Sequence, residues 1–187
     1  RRYLERAVAL TDSMIAHFWD AQAGGFFFTS DDHEALIVRS KPAFDGSIPS
    51  GNSVAVRDLL RLYHYTETTG YLERAEALLR LYAGPMREQP FGFANMLCAV
   101  DFYAQKPREI VVVGTPTARA ALLERVRATY LPNRTLTVVD PSRGESLPSL
   151  LQGKGQLDGK PTVYVCHNRT CSAPVTEWAE LESLFHD

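Results

Sequence analysis

Leu4, Val8, Thr11, Ile15 and Phe18 recur at steps of three and four, with Ala7, Leu10 and Met14 beside them. That spacing predicts a helix over residues 3–22 with a wide apolar stripe on one side. Gly24-Gly25 ends it, because glycine takes the positive φ that a helix stop often needs. Residues 26–29 and 36–39 are short apolar runs on either side of Ser30-Asp31-Asp32-His33, and they predict a β-hairpin inserted between helices. Three further amphipathic stretches follow. Residues 53–68 turn Val56, Leu59, Leu60 and Tyr63 inward, residues 71–83 carry Leu72, Ala75, Leu79 and Tyr82, and residues 93–104 carry Met96, Leu97, Val100 and Tyr103. Their short connections favour antiparallel helical hairpins.

The pattern changes at Lys106-Pro107. Residues 109–113 are a continuous β-branched run, as expected of a strand covered on both faces. A helix over 117–130, a strand over 135–139, a Gly/Ser/Pro-rich stretch over 141–161, a strand over 162–165 and a helix over 175–185 complete the chain. The strand–helix–strand unit demands a parallel pair with a right-handed crossover. The predicted organisation is a helical-hairpin part over residues 1–107 and a small three-stranded parallel α/β unit over residues 108–187.

Composition narrows the functional classes. The chain has 187 residues, 45% of them apolar and 22% charged, with a formal net charge of −2. This is a chain with a packed core, unlike a disordered or collagen-like one. The near-neutral balance argues against a nucleic-acid module, and no apolar run is long enough to span a bilayer. Three cysteines are too few for a disulfide scaffold, and their odd number fits a reducing, cytoplasmic setting. A secreted product bridged between Cys166 and Cys171 is the alternative. The opening Arg1-Arg2-Tyr3-Leu4 enters helical periodicity at once and reads as a start inside a longer protein.

The stretch from Arg39 to Ser53 concentrates candidate chemistry. It holds two cations, one carboxylate and several hydroxyl and amide groups between a strand and a helix start. Asp45 could act as a general base or accept from paired sugar hydroxyls. Arg39 and Lys41 could hold an anionic group, and Ser50 and Asn52 could bind a polyhydroxylated small molecule. The competing reading is structural: Ser50, Asn52 or Ser53 caps the next helix, Asp45-Gly46 is a turn pair, and Arg39 pairs with Asp45.

The second candidate is Cys166-His167-Asn168-Arg169-Thr170-Cys171, between a strand and a helix. The two thiols could close a disulfide, act as redox or reactive groups, supply metal ligands with His167, or be incidental core residues. A zinc site needs four ligands and only three are local, so no metal or cofactor is expected. Cys98 falls on an amphipathic helix as a core residue. Asp31-Asp32-His33-Glu34 has metal-ligand residue types, but consecutive acids in a turn usually face water. His17 and Trp19 share the end of the first helix and could line a pocket. Gly114-Thr115-Pro116 ends a strand without the Gly-x-Gly-x-x-Gly of a dinucleotide site. The aromatic run 26–28 reads as core packing before sugar stacking.

Arg39-x-Lys41, Asp45-Gly46 and Pro49-Ser50-Gly51-Asn52-Ser53, with the terminal Cys166-x4-Cys171-x-x-Pro174, resemble the C-terminal part of the spermatogenesis-associated, thioredoxin-domain-containing protein family. The resemblance covers nearly the whole chain. It implies long proteins with a thioredoxin-like domain followed by an (α/α) toroid similar to six-hairpin glycosidases and N-acylglucosamine 2-epimerases. Residues 1–107 would then supply about two hairpins of a partial toroid. The implied function is binding or conversion of a carbohydrate-like ligand by the toroid, with Asp45 as its carboxylate. The alternatives are a thiol-redox or chaperone-like protein in which Cys166 and Cys171 cooperate with the thioredoxin-like domain, or a non-catalytic scaffold. The implied partners are a sugar-like small molecule and the N-terminal remainder of the same protein, with no nucleic acid and no membrane.

Overall fold

A computed structural model describes residues 2–34, 36–143, 151–168 and 170–186. The chain divides into two compact units, residues 1–101 and 102–187.

The first unit is helical. Helix α1 (Arg2–Phe18) ends four residues earlier than its periodicity suggests. The Asp20 carboxylate accepts from the backbone N–H groups of Gln22 and Ala23, and Gly24 and Gly25 take positive φ, so the chain turns instead of continuing the helix. Helix α2 (Gly51–Thr66) starts where a side-chain cap is available: Ser50 Oγ accepts from the N–H of Ser53. Two residues join α2 to α3 (Thr69–Leu81), and Glu67 closes α2 in the left-handed region with its N–H on Tyr63 O. Such a short link makes the pair a helical hairpin. A short α4 (Ala83–Glu88) and a 3-10 turn (Pro90–Phe93) lead into α5 (Ala94–Gln105). Val56, Leu59, Leu60, Ala75, Leu78, Met96 and Ala99 are sealed from solvent and form the core of the unit. The apolar stripe of α1 is only half-buried, with Thr11 its one buried residue. Tyr71 ties α3 to it by donating to Asp12 Oδ1 at 2.6 Å. Burial and then this hydrogen bond push the Tyr71 phenol up to about 12.

The predicted β-hairpin does not form among the described residues. Phe26 makes an isolated bridge with Trp19, and Phe28 N–H reaches Ser40 O. The apolar run at 36–38 lies in the open, with Ile37 fully exposed, so it is not core. In the aromatic run, Phe26 is buried while Phe28 is exposed.

The second unit is built on a four-stranded sheet in the order β2-β1-β3-β4. Strands β1 (Arg108–Val113) and β2 (Arg134–Val139) are parallel and joined through α6 (Pro116–Ala128), as the strand–helix–strand pattern requires. Strand β3 (Thr162–His167) runs antiparallel to β1, pairing Glu109 with Cys166 and Val113 with Thr162. The two-residue β4 (Thr170–Cys171) turns back on β3. The sheet is therefore mixed, not three-stranded parallel. A third parallel strand needs another crossover, usually helical. Among the described residues the β2–β3 connection contains no α-helix. The short apolar piece expected at Leu147, Leu150 and Leu151 lies outside the described residues except for Leu151, which is buried.

Side chains alternate across β1. Ile110 and Val112 join Leu123, Val126, Val163, Val165, Leu181 and Phe185 on one face, with α6 and α7 (Trp178–His186) over it. Val111 and Val113 join Val139 and Leu151 on the other. Burial on both faces is why this strand reads as an unbroken apolar run. Among the described residues no helix is long and apolar enough to cross a membrane.

Candidate functional site

The stretch from Arg39 to Ser53 folds as a hydrogen-bonded strap. Asp45 Oδ1 accepts from the N–H of Ser50 at 2.8 Å and from the Ser53 hydroxyl at 2.6 Å. Oδ2 accepts from the N–H of Asn95 at 2.9 Å. Three of the roughly four acceptor positions of a carboxylate are thus taken. Burial pushes the Asp45 carboxyl up, but the donors Ser53, Ser50 and Asn95 outweigh it and hold the group below the usual range. Two of these donors are backbone N–H groups at the N-termini of α2 and α5, where a negative charge is favoured. The carboxylate fastens its own turn to two helix starts and does not pair with Arg39. Asn95 extends the network: its Nδ2 donates to Ser53 Oγ at 3.0 Å, and its Oδ1 accepts from Arg57 at 2.5 Å.

Asn52 is 2% exposed and serves the backbone. Its Oδ1 accepts from Phe26 N–H at 2.7 Å, while its Nδ2 donates to Phe26 O at 2.9 Å and Pro42 O at 2.8 Å. One amide side chain pairs with both the N–H and the C=O of Phe26, as a neighbouring strand would. Ser50 donates to Ala43 O at 2.9 Å besides capping α2. Lys41 Nζ meets Asp20 Oδ2 at 2.7 Å and Gly24 O at 2.9 Å. That hydrogen bond, helped by the N–H groups of Ala23 and Gln22, lowers the Asp20 carboxyl to about 2. The Arg39 guanidinium lies 4.1 Å over the Phe27 ring and donates to Thr29 O at 2.6 Å. Its Nε is buried with no hydrogen-bond partner, as is Thr29 Oγ1. Of the groups expected to bind a ligand, Ser50, Asn52 and Lys41 are thus committed to internal partners, and Arg39 retains an unpaired donor.

Gly92 shows how tightly this strap is drawn. A Cβ there would lie 2.0 Å from the Phe44 ring, and Gly92 O accepts from Asp45 N–H. Only a residue without a side chain allows that approach.

The cysteine pair is a disulfide. Cys166 and Cys171 face one another across β3 and β4, with Sγ atoms 2.04 Å apart. Cys166 is 2% exposed, whereas Cys171 lies at the surface. Asn168, in the intervening turn, takes the left-handed conformation and accepts from Lys106 Nζ at 3.0 Å. His167 donates its Nε2–H to Gln105 O at 3.1 Å. The only free thiol, Cys98, is exposed and not part of the core.

A further cluster joins residues far apart in sequence. His17, in the last turn of α1, brings Nδ1 to 2.9 Å from Asp31 Oδ1 and 4.0 Å from Asp32 Oδ2. The acidic run suggested ligand types at 31–34, but no periodicity placed His17 against it. Asn95 and Asp20 were equally invisible as the partners of Asp45 and Lys41, because nothing in the local pattern encodes contacts 50 and 21 residues apart.

The fold and these sites define a helical-hairpin scaffold followed by a small disulfide-bearing α/β unit. No protein-family model matches the chain. Over 98% of its length it is homologous to Spermatogenesis-associated protein 20, with 35% identity to the human protein and 34% to the mouse protein, consistent with that family. It is also 31% identical over 98% of its length to an uncharacterized protein of Caenorhabditis elegans, B0495.5. The chain spans about a quarter of the length of these relatives, 24% of the human protein and 25% of the nematode one.

Proposed function

We propose that this chain is part of a longer thioredoxin-domain-containing protein of the Spermatogenesis-associated protein 20 kind, and that Cys166 and Cys171 are its dithiol–disulfide pair. The observation that carries this reading is a closed cross-strand disulfide between a buried and an exposed cysteine residue. In the reducing setting suggested by the cysteine count, a disulfide exists as a working group and not as a permanent staple. A partner thiolate attacks the Sγ of Cys171, the exposed residue of the pair, and forms a mixed disulfide, and Cys166 leaves as a thiolate that takes a proton. The partner's second thiolate then attacks the mixed disulfide and releases Cys171, so the partner is oxidised and this chain reduced by two electrons. The thioredoxin-like domain implied by the family resemblance is a dithiol partner of the required class.

The carbohydrate-ligand reading is less well supported, because it relied on a free carboxylate at position 45. The helical hairpins serve as the scaffold, whether or not the longer protein closes them into a toroid.

Thiol trapping in the full-length protein tests the proposal. Equilibrated against reduced and oxidised dithiothreitol, Cys166 and Cys171 should appear together as trapped thiols, and should re-form the bridge on reoxidation. A pair that stays oxidised throughout the range of a cellular dithiol, or two thiols that never bridge, refutes it.

A further inference from the structure

The turn between the two bridged cysteines is held from outside the hairpin. His167 and Thr170 pair across β3 and β4, and the two residues between them close the turn. His167 Nε2 donates to Gln105 O at 3.1 Å, and Lys106 Nζ donates to Asn168 Oδ1 at 3.0 Å. Gln105 ends α5 and Lys106 leads into β1, so two consecutive residues grip two others 62 positions away. Lys106 and Asn168 both lie in the left-handed region, with φ of 52° and 50°. Asparagine tolerates that conformation, whereas glycine is the usual residue at a left-handed helix stop. The backbone gains nothing from a lysine there; what the side chain adds is an ammonium group on the turn.

We propose that Lys106, acting through Asn168, is a positioning residue of the Cys166–Cys171 pair, an inference that rests on the dithiol–disulfide reading above. Neither grip on the turn involves sulfur, so both persist when the bridge opens. They are needed because a two-residue strand is too short to hold itself. After Cys171 the chain is fastened to β3: Ser172 N–H donates to Val165 O at 3.0 Å, and Val163 and Val175 exchange backbone bonds at 2.8 and 3.0 Å. Before Cys171, beyond the His167–Thr170 pairing, the anchors among the described residues are Gln105 and Lys106. With the turn held, the two thiols of the reduced chain stay opposite one another and react as though at high local concentration. Bridge and clamp order the same turn, so each makes the other less costly to form, and the clamp favours the oxidised pair. Closure against oxidised dithiothreitol forms the Cys166–Cys171 bond, opens the dithiothreitol ring, and passes two electrons and two protons to dithiothreitol.

The test is the equilibrium of the full-length protein with mixtures of reduced and oxidised dithiothreitol, with the thiols of Cys166 and Cys171 trapped and quantified by mass spectrometry. Lys106→Gly removes the ammonium and sets in its place the residue best suited to the left-handed region, so the oxidised fold is kept. Its equilibrium constant for closing the bridge should fall ~3- to 10-fold, the range of one hydrogen bond. Asn168→Gly keeps the left-handed turn and removes the acceptor, and should lower the constant as well. The double variant should match Asn168→Gly, because the shared contact is already gone. Lys106→Arg should restore most of the native value. A native pair that exchanges while Lys106→Gly leaves the constant unchanged overturns the clamp and spares the exchange reading. Effects that add in the double variant, or a loss that Lys106→Arg does not restore, also overturn the clamp. A native pair that never exchanges with dithiothreitol overturns both.

Discussion

Replacing Asp45 by asparagine separates a structural carboxylate from a chemical one. The native group accepts from two backbone N–H groups and one hydroxyl, on opposite oxygens. An asparagine keeps one oxygen acceptor and must turn its NH2 toward either Asn95 N–H or the Ser50–Ser53 pair, placing donor against donor. It also removes the negative charge beside two helix N-termini. Hydrogen bonds to a charged group contribute about 1.5–3 kcal/mol each, and at a partly exposed site water recovers some of that. The expected loss is therefore ~2–4 kcal/mol. At a urea slope of ~2 kcal/mol/M this lowers the midpoint for the first unit by ~1–2 M. The pH dependence provides a second reading. The folded carboxyl is held below its ordinary value. Its contribution is therefore complete above the unfolded value near ~3.9 and is lost as pH falls through the folded one. The stability gap between native and Asp45→Asn protein should be wide at neutral pH and close under acid. A urea midpoint within ~0.2 M of native at pH 7, with a gap that does not change with pH, refutes the reasoning and restores Asp45 as a free group.

Asn52→Ala leaves the Phe26 N–H and the Phe26 and Pro42 carbonyls unpaired in a buried place, so a loss of ~2–4 kcal/mol in urea unfolding is expected; a neutral result means the amide is not the Phe26 partner. Lys41→Met removes the largest influence on Asp20, whose carboxyl should move up from about 2 toward the ordinary range when followed by NMR titration; an unmoved Asp20 shows that its own turn sets the value.

Local patterns carried much of the secondary structure. Apolar steps of three and four placed α1, α2, α3 and α5, because a helix must bury a stripe whatever it packs against. The unbroken run of β1 announced a strand covered on both faces, and Ser50 was among the residues expected to cap α2. The failures share a cause. Residues 26–29 and 36–39 have strand-like composition, but a strand exists only with a partner, and Asn52 reached the Phe26 backbone from 26 residues away. The end of α1 was misplaced because the Asp20 side chain competes with the helix for backbone N–H groups.

What the amino-acid order determined alone was therefore periodic: the central turns of α1, α2, α3 and α5, which strand is buried twice, and a polar stretch with two cations and one carboxylate. Tertiary structure decided pairing and direction. It ran β3 antiparallel to β1, closed Cys166 onto Cys171, committed Asp45 to Asn95 and Lys41 to Asp20, and set His17 beside Asp31 and Asp32. Periodicity is a property of neighbours along the chain, whereas strand order, ion pairs and ligand sets depend on which distant donors and acceptors remain unsatisfied when the core closes.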